Sequence, residues 1–267
     1  IRIDALLPGE MAVRAEYIGV QKAESSATKT FALAVLAGSF IAMGSIFATT
    51  TAAGSSALPF GVAKLLTGLV FCLGLILVVV AGAELFTGNN LIVMAWASRK
   101  VSTRALLRNW VIVYLGNFVG SIALAVLVMF SKQYLFGGGS VGETALKIAL
   151  GKVQYGFVQA LALGVLCNVL VCLAVWLTFS ARTTVDKIVA VIFPVTAFVA
   201  AGFEHSIANM YFIPFGLLIK QFDPGFVAQT GLDLTGLTWG TFVVNNLIPV
   251  TVGNIIGGGL LVSVIYW

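Results

Sequence analysis

The sequence contains few charged residues. Of its 267 residues, 15 are Lys or Arg and 10 are Asp or Glu, so 9% are charged and 60% are hydrophobic. Soluble domains carry about 25% charged residues. This composition excludes a soluble enzyme, a disordered chain and a secreted disulfide scaffold. It predicts an integral membrane protein with the lipid bilayer as its surroundings.

The chain also lacks most of the residues that enzymes and cofactor sites need. His205 is the single histidine, and Cys72, Cys167 and Cys172 lie inside apolar stretches. A haem held by two histidines is impossible within the chain, and neither H-E-x-x-H nor C-x-x-C occurs. No Ser or Cys comes with the base and orienting group of a catalytic triad. We expect no enzyme activity, no cofactor and no metal, and the dispersed basic residues favour no nucleic-acid partner.

Six apolar segments are long enough to cross a bilayer, which takes about 20 helical residues. They lack the alternation typical of a membrane β-barrel. The segments are about Phe31–Thr50, Lys64–Trp96, Trp110–Phe130, Tyr155–Ser180, Lys187–Ile219 and Trp239–Tyr266. We predict an all-α fold of six transmembrane helices in one channel domain, 29–267, preceded by an N-terminal arm, 1–28.

Basic residues are unevenly divided between the two sides of these segments. Five lie on the side away from the termini: Lys64, Lys132, Lys147, Lys152 and Lys220. Ten lie on the side of the termini: Arg2, Arg14, Lys22, Lys29, Arg99, Lys100, Arg104, Arg108, Arg182 and Lys187. The positive-inside rule therefore places both termini in the cytoplasm.

The second and fifth segments predict broken helices. Each spans about 33 residues, or roughly 50 Å of helix, against about 30 Å of hydrocarbon. The same pattern, G-x-E-x-x-x-x-N, interrupts both of them, at Gly82–Asn89 and Gly202–Asn209. Unwound backbone at this depth is tolerated where it lines a cavity or is buried in protein.

Two further matches in the same order indicate an internal repeat. Gly116–Gly120 matches Gly253–Gly257, and Phe31 with Gly38 weakly matches Phe157 with Gly164. Each half, about 29–130 and 155–267, then contains three crossings. An odd number inserts the second half from the opposite side and gives an inverted 3+3 repeat. Its paired breaks indicate a permeation site near the midplane, with two purely structural kinks as the alternative.

Glu84 and Glu204 occupy equivalent positions in the two interruptions. Ionisable residues inside a membrane are costly and are functional candidates. A carboxylate beside a break can also accept backbone N–H groups that the break leaves free. We assign both acids to support of the breaks, and Asn89 and Asn209 to amide caps of the returning helices.

His205 breaks the symmetry of the repeat, because its counterpart is Leu85. It is the one side chain in the interruptions that titrates near neutral pH. Thr87, in the other interruption, is its nearest candidate partner by repeat symmetry.

Apolar side chains near the breaks, Phe71, Leu75 and Phe198, predict tight rings along a pore. Lys152, ahead of the fourth segment, is placed to attract anions. A bare anion loses its hydration in apolar rings at high cost, whereas a neutral acid passes more readily. These residues suggest that His205 donates a proton to an entering weak-acid anion.

The interruptions resemble the two signatures of the formate–nitrite transporter family. The resemblance covers residues 22–267 and is nearest to the bacterial formate channels. It rests on Ala83–Asn89, Gly202–Met210, Asn109 with Trp110, Tyr114, Gly116 with Asn117, and Asn168–Trp176.

The resemblance implies an aquaporin-like protomer, a homopentamer with one pore per protomer, and a place in the bacterial inner membrane. It makes His205 the central histidine, Thr87 its partner and Lys152 the attracting lysine, and it implies that the arm gates the cytoplasmic mouth. It also implies pore-lining residues, with Leu75 and Phe198 on one side: Asn168, Phe71, Leu75, Leu85, Val171 and Phe198.

The sequence thus predicts a passive or proton-linked formate channel. A channel of the same fold for nitrite, hydrosulfide or a short-chain monocarboxylate such as lactate or acetate is the alternative. A water or glycerol channel would carry Asn-Pro-Ala at each break, which this chain lacks. A membrane anchor of a redox complex would need cofactor ligands that the sequence does not supply.

Overall fold

Apolar helices make up the fold, as the composition predicts. A computed structural model describes residues 6–267, with Ser56 described by its backbone alone, and these residues contain no β-strand. Residues 1–5 of the predicted arm, including Arg2, lie outside the described residues. Five of the described helices are long and apolar enough to cross a membrane. The helices are α1 (Pro8–Glu24), α2 (Ala27–Ala52), α3 (Phe60–Ala81), α4 (Ile92–Ala97), α5 (Thr103–Ser131), α6 (Ser140–Val153), α7 (Phe157–Thr178), α8 (Thr184–Ala200), α9 (Ser206–Phe222), α10 (Pro224–Thr230) and α11 (Trp239–Val264).

The second and fifth predicted segments are each divided into two helices. The second contains α3 and α4, and the fifth contains α8 and α9. Gly82 and Gly202 follow the first helix of each pair, with φ of 82° and 75°. Glycine adopts this left-handed conformation without a steric penalty, so the helix ends sharply there. The backbone N–H groups of Glu84 and Glu204 then donate to carbonyl oxygens of α2 and α7, each at 3.2 Å.

Close backbone contacts hold α5 against α2 and α11 against α7. A Cβ atom at Gly120 would overlap the Val35 carbonyl oxygen, and one at Gly257 would overlap the Val165 carbonyl oxygen. Small residues allow membrane helices to approach at this distance. The two helix pairs therefore form matching frames around the breaks.

The hydrogen bonds of the two halves correspond to one another. In each half one asparagine donates to a carbonyl oxygen of the first helix and to one of the break: Asn117 to Ala34 and Glu84, and Asn254 to Gly164 and Glu204. These bonds pair Ala34 with Gly164. Matching Gly38 with Gly164 from the sequence was therefore wrong by one helical turn, because the weakly patterned apolar segments do not fix the register.

The predicted arm contains α1, which lies on the face of the protein that carries the last residue, Trp267. We call this the terminal face. Glu16 of α1 bonds to Ser98 and Lys100, and the Trp267 indole donates to Ser98 Oγ at 2.7 Å. From near this face α5 runs 29 residues to Ser131, and Gln133 then donates to Thr50 Oγ1 in the last turn of α2. We call this end of the helices, from which α6 follows, the opposite face.

Candidate permeation site

Thr87 and His205 meet where the two breaks converge. Thr87 Oγ1 lies 2.9 Å from His205 Nε2, and both side chains are buried. His205 is also the N-cap of α9, because its Nδ1 accepts a hydrogen bond from the Ala208 N–H at 3.0 Å. The fold thus brings one residue from each half into a hydroxyl–imidazole pair that is almost sealed from solvent.

The hydrogen bonds of His205 define its neutral form. Since Nδ1 accepts from Ala208, the proton of the neutral imidazole lies on Nε2 and is donated to Thr87 Oγ1. A proton on Nδ1 would remove the acceptor of the Ala208 N–H. An imidazolium at His205 and an intact cap of α9 therefore exclude each other.

Aromatic rings enclose one side of this pair. The rings of Phe71 and Phe198 pack edge to face with centroids 5.7 Å apart, and Phe198 stacks on the His205 ring at 5.9 Å. All three side chains are at most 3% exposed. An ion that passed this point would lose its water, so the rings form a barrier to charge.

Two cavities lead toward the centre from opposite faces. The terminal cavity, of about 480 Å³, includes Leu75 and Leu85 in its lining. The opposite cavity, of about 370 Å³, includes Phe71, Phe198 and His205. Leu75 and Phe198 therefore line different cavities, which corrects the expectation that they lie on one side.

Glu204 is the centre of a buried polar network. Lys152 of α6 donates to Glu204 Oε1 at 2.7 Å, and the amides of Asn209 and Asn246 donate to Oε2 at 2.7 and 3.0 Å. A buried carboxylate needs such a partner and such donors to remain charged. Lys152 also lines the opposite cavity, so the cation expected to attract anions is part of an ion pair.

The first half contains the same network with a lysine from α1. Lys22 donates to Glu84 Oε1 at 2.8 Å and to Asn89 Oδ1 at 3.0 Å. The Asn89 amide donates to Glu84 Oε2 at 2.6 Å and to Asn109 Oδ1 at 3.0 Å. Sequence analysis gave neither Lys22 nor Asn109 a role at the site, because Lys22 lies in the predicted arm and Asn109 entered only as part of the family resemblance.

A sequence signal for Lys22 does exist once the register of the repeat is known. Lys22 precedes Ala34 by as many residues as Lys152 precedes Gly164. The correct pairing of Ala34 with Gly164 therefore also pairs the two lysines.

The returning segments are capped differently from the prediction. In each half a backbone N–H of the break donates to an asparagine Oδ1 at 2.9 Å, Phe86 to Asn117 and Ser206 to Asn254. The amides of Asn89 and Asn209 instead bond to the carboxylates of Glu84 and Glu204. This corrects their assignment as amide caps: they hold the carboxylates.

Asn168 and Val171 lie on α7 beside the central pair. The Asn168 amide donates to the Thr87 carbonyl oxygen at 3.3 Å and to that of Asn254 at 2.7 Å. Val171 is buried in the same apolar cluster as Leu75 and Phe198. Asn168 thus positions the backbone that carries the Thr87 hydroxyl.

A buried hydroxyl–imidazole pair between two cavities, inside a bundle of membrane-length helices, defines a membrane channel or transporter. The chain belongs to the formate/nitrite transporter family, whose model matches residues 9–267. The family predicted from the two interruptions is therefore confirmed.

Individual relatives agree with this family over nearly the whole chain. The chain is 47% identical over 268 residues to the formate channel FocA of Escherichia coli (strain K12), covering 99% of this chain and 94% of the relative. It is 42% identical over 264 residues to the formate channel FocA of Haemophilus influenzae, covering 97% and 93%. A solved structure described as a pentameric formate channel with formate bound is 49% identical, with a TM-score of 0.86, covering 90% of this chain and 96% of that one. These relatives are channels and not enzymes.

Proposed function

We propose that the chain forms a channel that conducts formate across the bacterial inner membrane. The observation that carries the proposal is the Thr87–His205 pair, buried between two cavities and enclosed by apolar side chains. Such a site suits a small weak-acid anion, which becomes neutral when it takes up a proton and charged again when it loses it. The similarity to formate channels supports formate as that solute.

The proposed architecture is an aquaporin-like protomer with six crossings, arranged as an inverted 3+3 repeat in the domain 29–267. Matching hydrogen bonds at Asn117 and Asn254 support the repeat. We propose a homopentamer, by analogy with the similar solved channel. Large exposed apolar side chains such as Phe130 and Phe193, 80% and 76% exposed, fit lipid or a neighbouring protomer. Native mass spectrometry tests the pentamer.

The terminal face is assigned to the cytoplasm. The excess of basic residues in the segments of that face supports this orientation. In this orientation α1 lies at the cytoplasmic mouth and acts as its gate, and the opposite cavity opens outward. Labelling of single cysteines introduced on each face of intact cells tests the assignment.

Formate enters each cavity as an anion and passes the apolar side chains as neutral formic acid. Phe71 and Phe198 on one side, and Leu75 and Leu85 on the other, oppose a bare charge. An imidazolium at His205 transfers its Nε2 proton to a formate oxygen, which gives formic acid and leaves a neutral imidazole that carries its proton on Nδ1. Like the imidazolium, this tautomer cannot accept the Ala208 N–H, so the cap of α9 returns only when the Nδ1 proton is lost and Nε2 is protonated again.

Flux through proteoliposomes between pH 5 and 8 tests this mechanism. Asparagine at position 205 still caps α9, because asparagine is a good N-cap, but it does not titrate. His205→Asn should therefore lower formate flux about 100-fold, within the usual contribution of a general acid, and should flatten its pH dependence. An unchanged pH profile would contradict proton transfer at His205.

The hydroxyl of Thr87 supplies a matched pair of variants. Thr87→Val removes the partner of His205 Nε2 with little change of volume and should lower flux, whereas Thr87→Ser keeps the hydroxyl and should retain it. A panel of formate, nitrite, hydrosulfide, lactate and acetate ranks the candidate substrates. Equal flux of glycerol and formate would refute an anion or weak-acid channel.

A further inference from the structure

The terminal cavity is lined by several basic side chains. Its lining includes Arg14 and Lys22 from α1, Lys29 from α2 and Lys187 from α8, and Glu84 is the one carboxylate among the described residues that line it. Basic side chains from three separate helices thus line one cavity of about 480 Å³. The net formal charge of these side chains is strongly positive.

The carboxylates of residues 6–267 leave most of this charge without an ion-pair partner. Glu84 is paired with Lys22. Within residues 6–267, no carboxylate forms an ion pair with Arg14, Lys29 or Lys187, since the ion pairs found there involve Lys22, Lys100, Lys147 and Lys152. Within the part of the chain that the structure describes, three cations of the terminal cavity therefore lack an ion-pair partner and are available to a ligand.

The opposite cavity shows that this excess is specific to one face. Lys64, Lys147 and Lys152 line it. Lys147 pairs with Glu143 and Lys152 pairs with Glu204. Among the described residues, Lys64 is therefore the one lysine of this cavity without an ion-pair partner, whereas the terminal cavity has three such basic residues. Both cavities nevertheless lead to the same central site.

We propose that the terminal cavity is a binding site for a soluble polyvalent anion of the phosphate class, such as pyrophosphate or a phosphate ester, which blocks the channel from that face. Several lysines and an arginine around one cavity suit a ligand with several negative oxygens. Beyond them, the buried Leu75 and Leu85 side chains oppose entry of a charge. A polyvalent anion therefore binds at the mouth and does not pass.

Calorimetric titration of pyrophosphate into the protein in phosphatidylcholine nanodiscs measures this binding without any flux. Lys29→Gln and Lys187→Gln should each weaken binding about threefold, as expected for an exposed charge contact, and the double variant about tenfold. Arg104→Gln is the matched control, since Arg104 is basic and exposed on α5 but does not line the cavity. Its affinity should equal that of the unmodified protein at equal ionic strength.

Absence of pyrophosphate binding would overturn the proposal, as would equal effects of Arg104→Gln and the double variant. Loss of binding when phosphatidylglycerol is added to the nanodiscs would assign the cavity to a lipid headgroup and overturn a soluble ligand.

The block itself rests on the proposed function and is measured separately. Pyrophosphate on the terminal face should inhibit formate flux, and the double variant should relieve the inhibition, while pyrophosphate on the opposite face should have no effect. Inhibition from both faces alike would refute the block. Pyrophosphate binding in a protein that conducts no formate would refute the proposed function and keep the site.

Discussion

Replacing Glu204 with Gln tests whether the buried networks hold the breaks in place. The change removes the charge that Lys152 faces and keeps nearly the same volume. It also puts an amide where two asparagine amides now donate to a carboxylate oxygen. Glu84 and Glu143, each paired with a lysine, give matched Glu→Gln variants.

The expected magnitude follows from burial. The carboxylate side chains of Glu204, Glu84 and Glu143 are 2%, 14% and 41% exposed. Removing one partner of a buried ion pair costs about 3–5 kcal/mol, whereas an exposed pair contributes about 0–1 kcal/mol. By this rule we expect Glu204→Gln to lower the free energy of unfolding by about 4 kcal/mol. Glu84→Gln should cost about 2 kcal/mol, as for one charge-assisted hydrogen bond, and Glu143→Gln less than about 0.5 kcal/mol.

Thermal unfolding in detergent with a thiol-reactive dye measures this order. All three cysteines, Cys72, Cys167 and Cys172, are free and buried, so the dye reports their exposure on unfolding. In a chain of this size each kcal/mol corresponds to about 2–4 °C, so Glu204→Gln should lower the midpoint by about 10 °C. A shift no larger than that of Glu143→Gln would refute the structural role of the network.

Two further predictions use other parts of the structure. Gly120→Ala should cost about 1–3 kcal/mol in the same assay, because its Cβ would overlap the Val35 carbonyl oxygen, whereas Gly9→Ala meets nothing within 4 Å; equal midpoints would contradict the close packing. On the opposite face, burial and the neighbouring Asp223 raise the pKa of Tyr134 to about 12, and the hydrogen bond from Tyr134 lowers the pKa of Asp223. Asp223 therefore stabilises the fold above its unfolded pKa of about 4, and this contribution is lost as the pH falls through the folded pKa. Tyr134→Phe should reduce the loss of stability below about pH 4, and an unchanged profile of unfolding against pH would count against this coupling.

The helix breaks could be predicted because glycine and a carboxylate interrupt long apolar runs in both halves. The same pattern identified Thr87 as the candidate partner of His205, and the structure places their side chains 2.9 Å apart. Both inferences used polar residues in apolar surroundings, where each polar group needs a specific reason to be present.

The register of the repeat and the caps could not be predicted from the same pattern. Ala34 matches Gly164 through the bonds of Asn117 and Asn254, and nothing in the local apolar sequence distinguishes this match from one a turn away. The role of Lys22 depends on how α1 folds back on Glu84, which is a contact between distant parts of the chain. Such contacts are fixed by packing and not by local pattern.

The ion pair between Lys22 and Glu84 gives α1 an electrostatic effect on the pathway as well as a steric one. Lys22 arrives with α1, whereas Glu84 belongs to the break and stays in the wall of the terminal cavity. Departure of α1 would remove two cations, Arg14 and Lys22, and would leave the Glu84 carboxylate without its ion-pair partner. Moving α1 away therefore widens this entrance but also makes it less positive, so that it attracts anions less strongly.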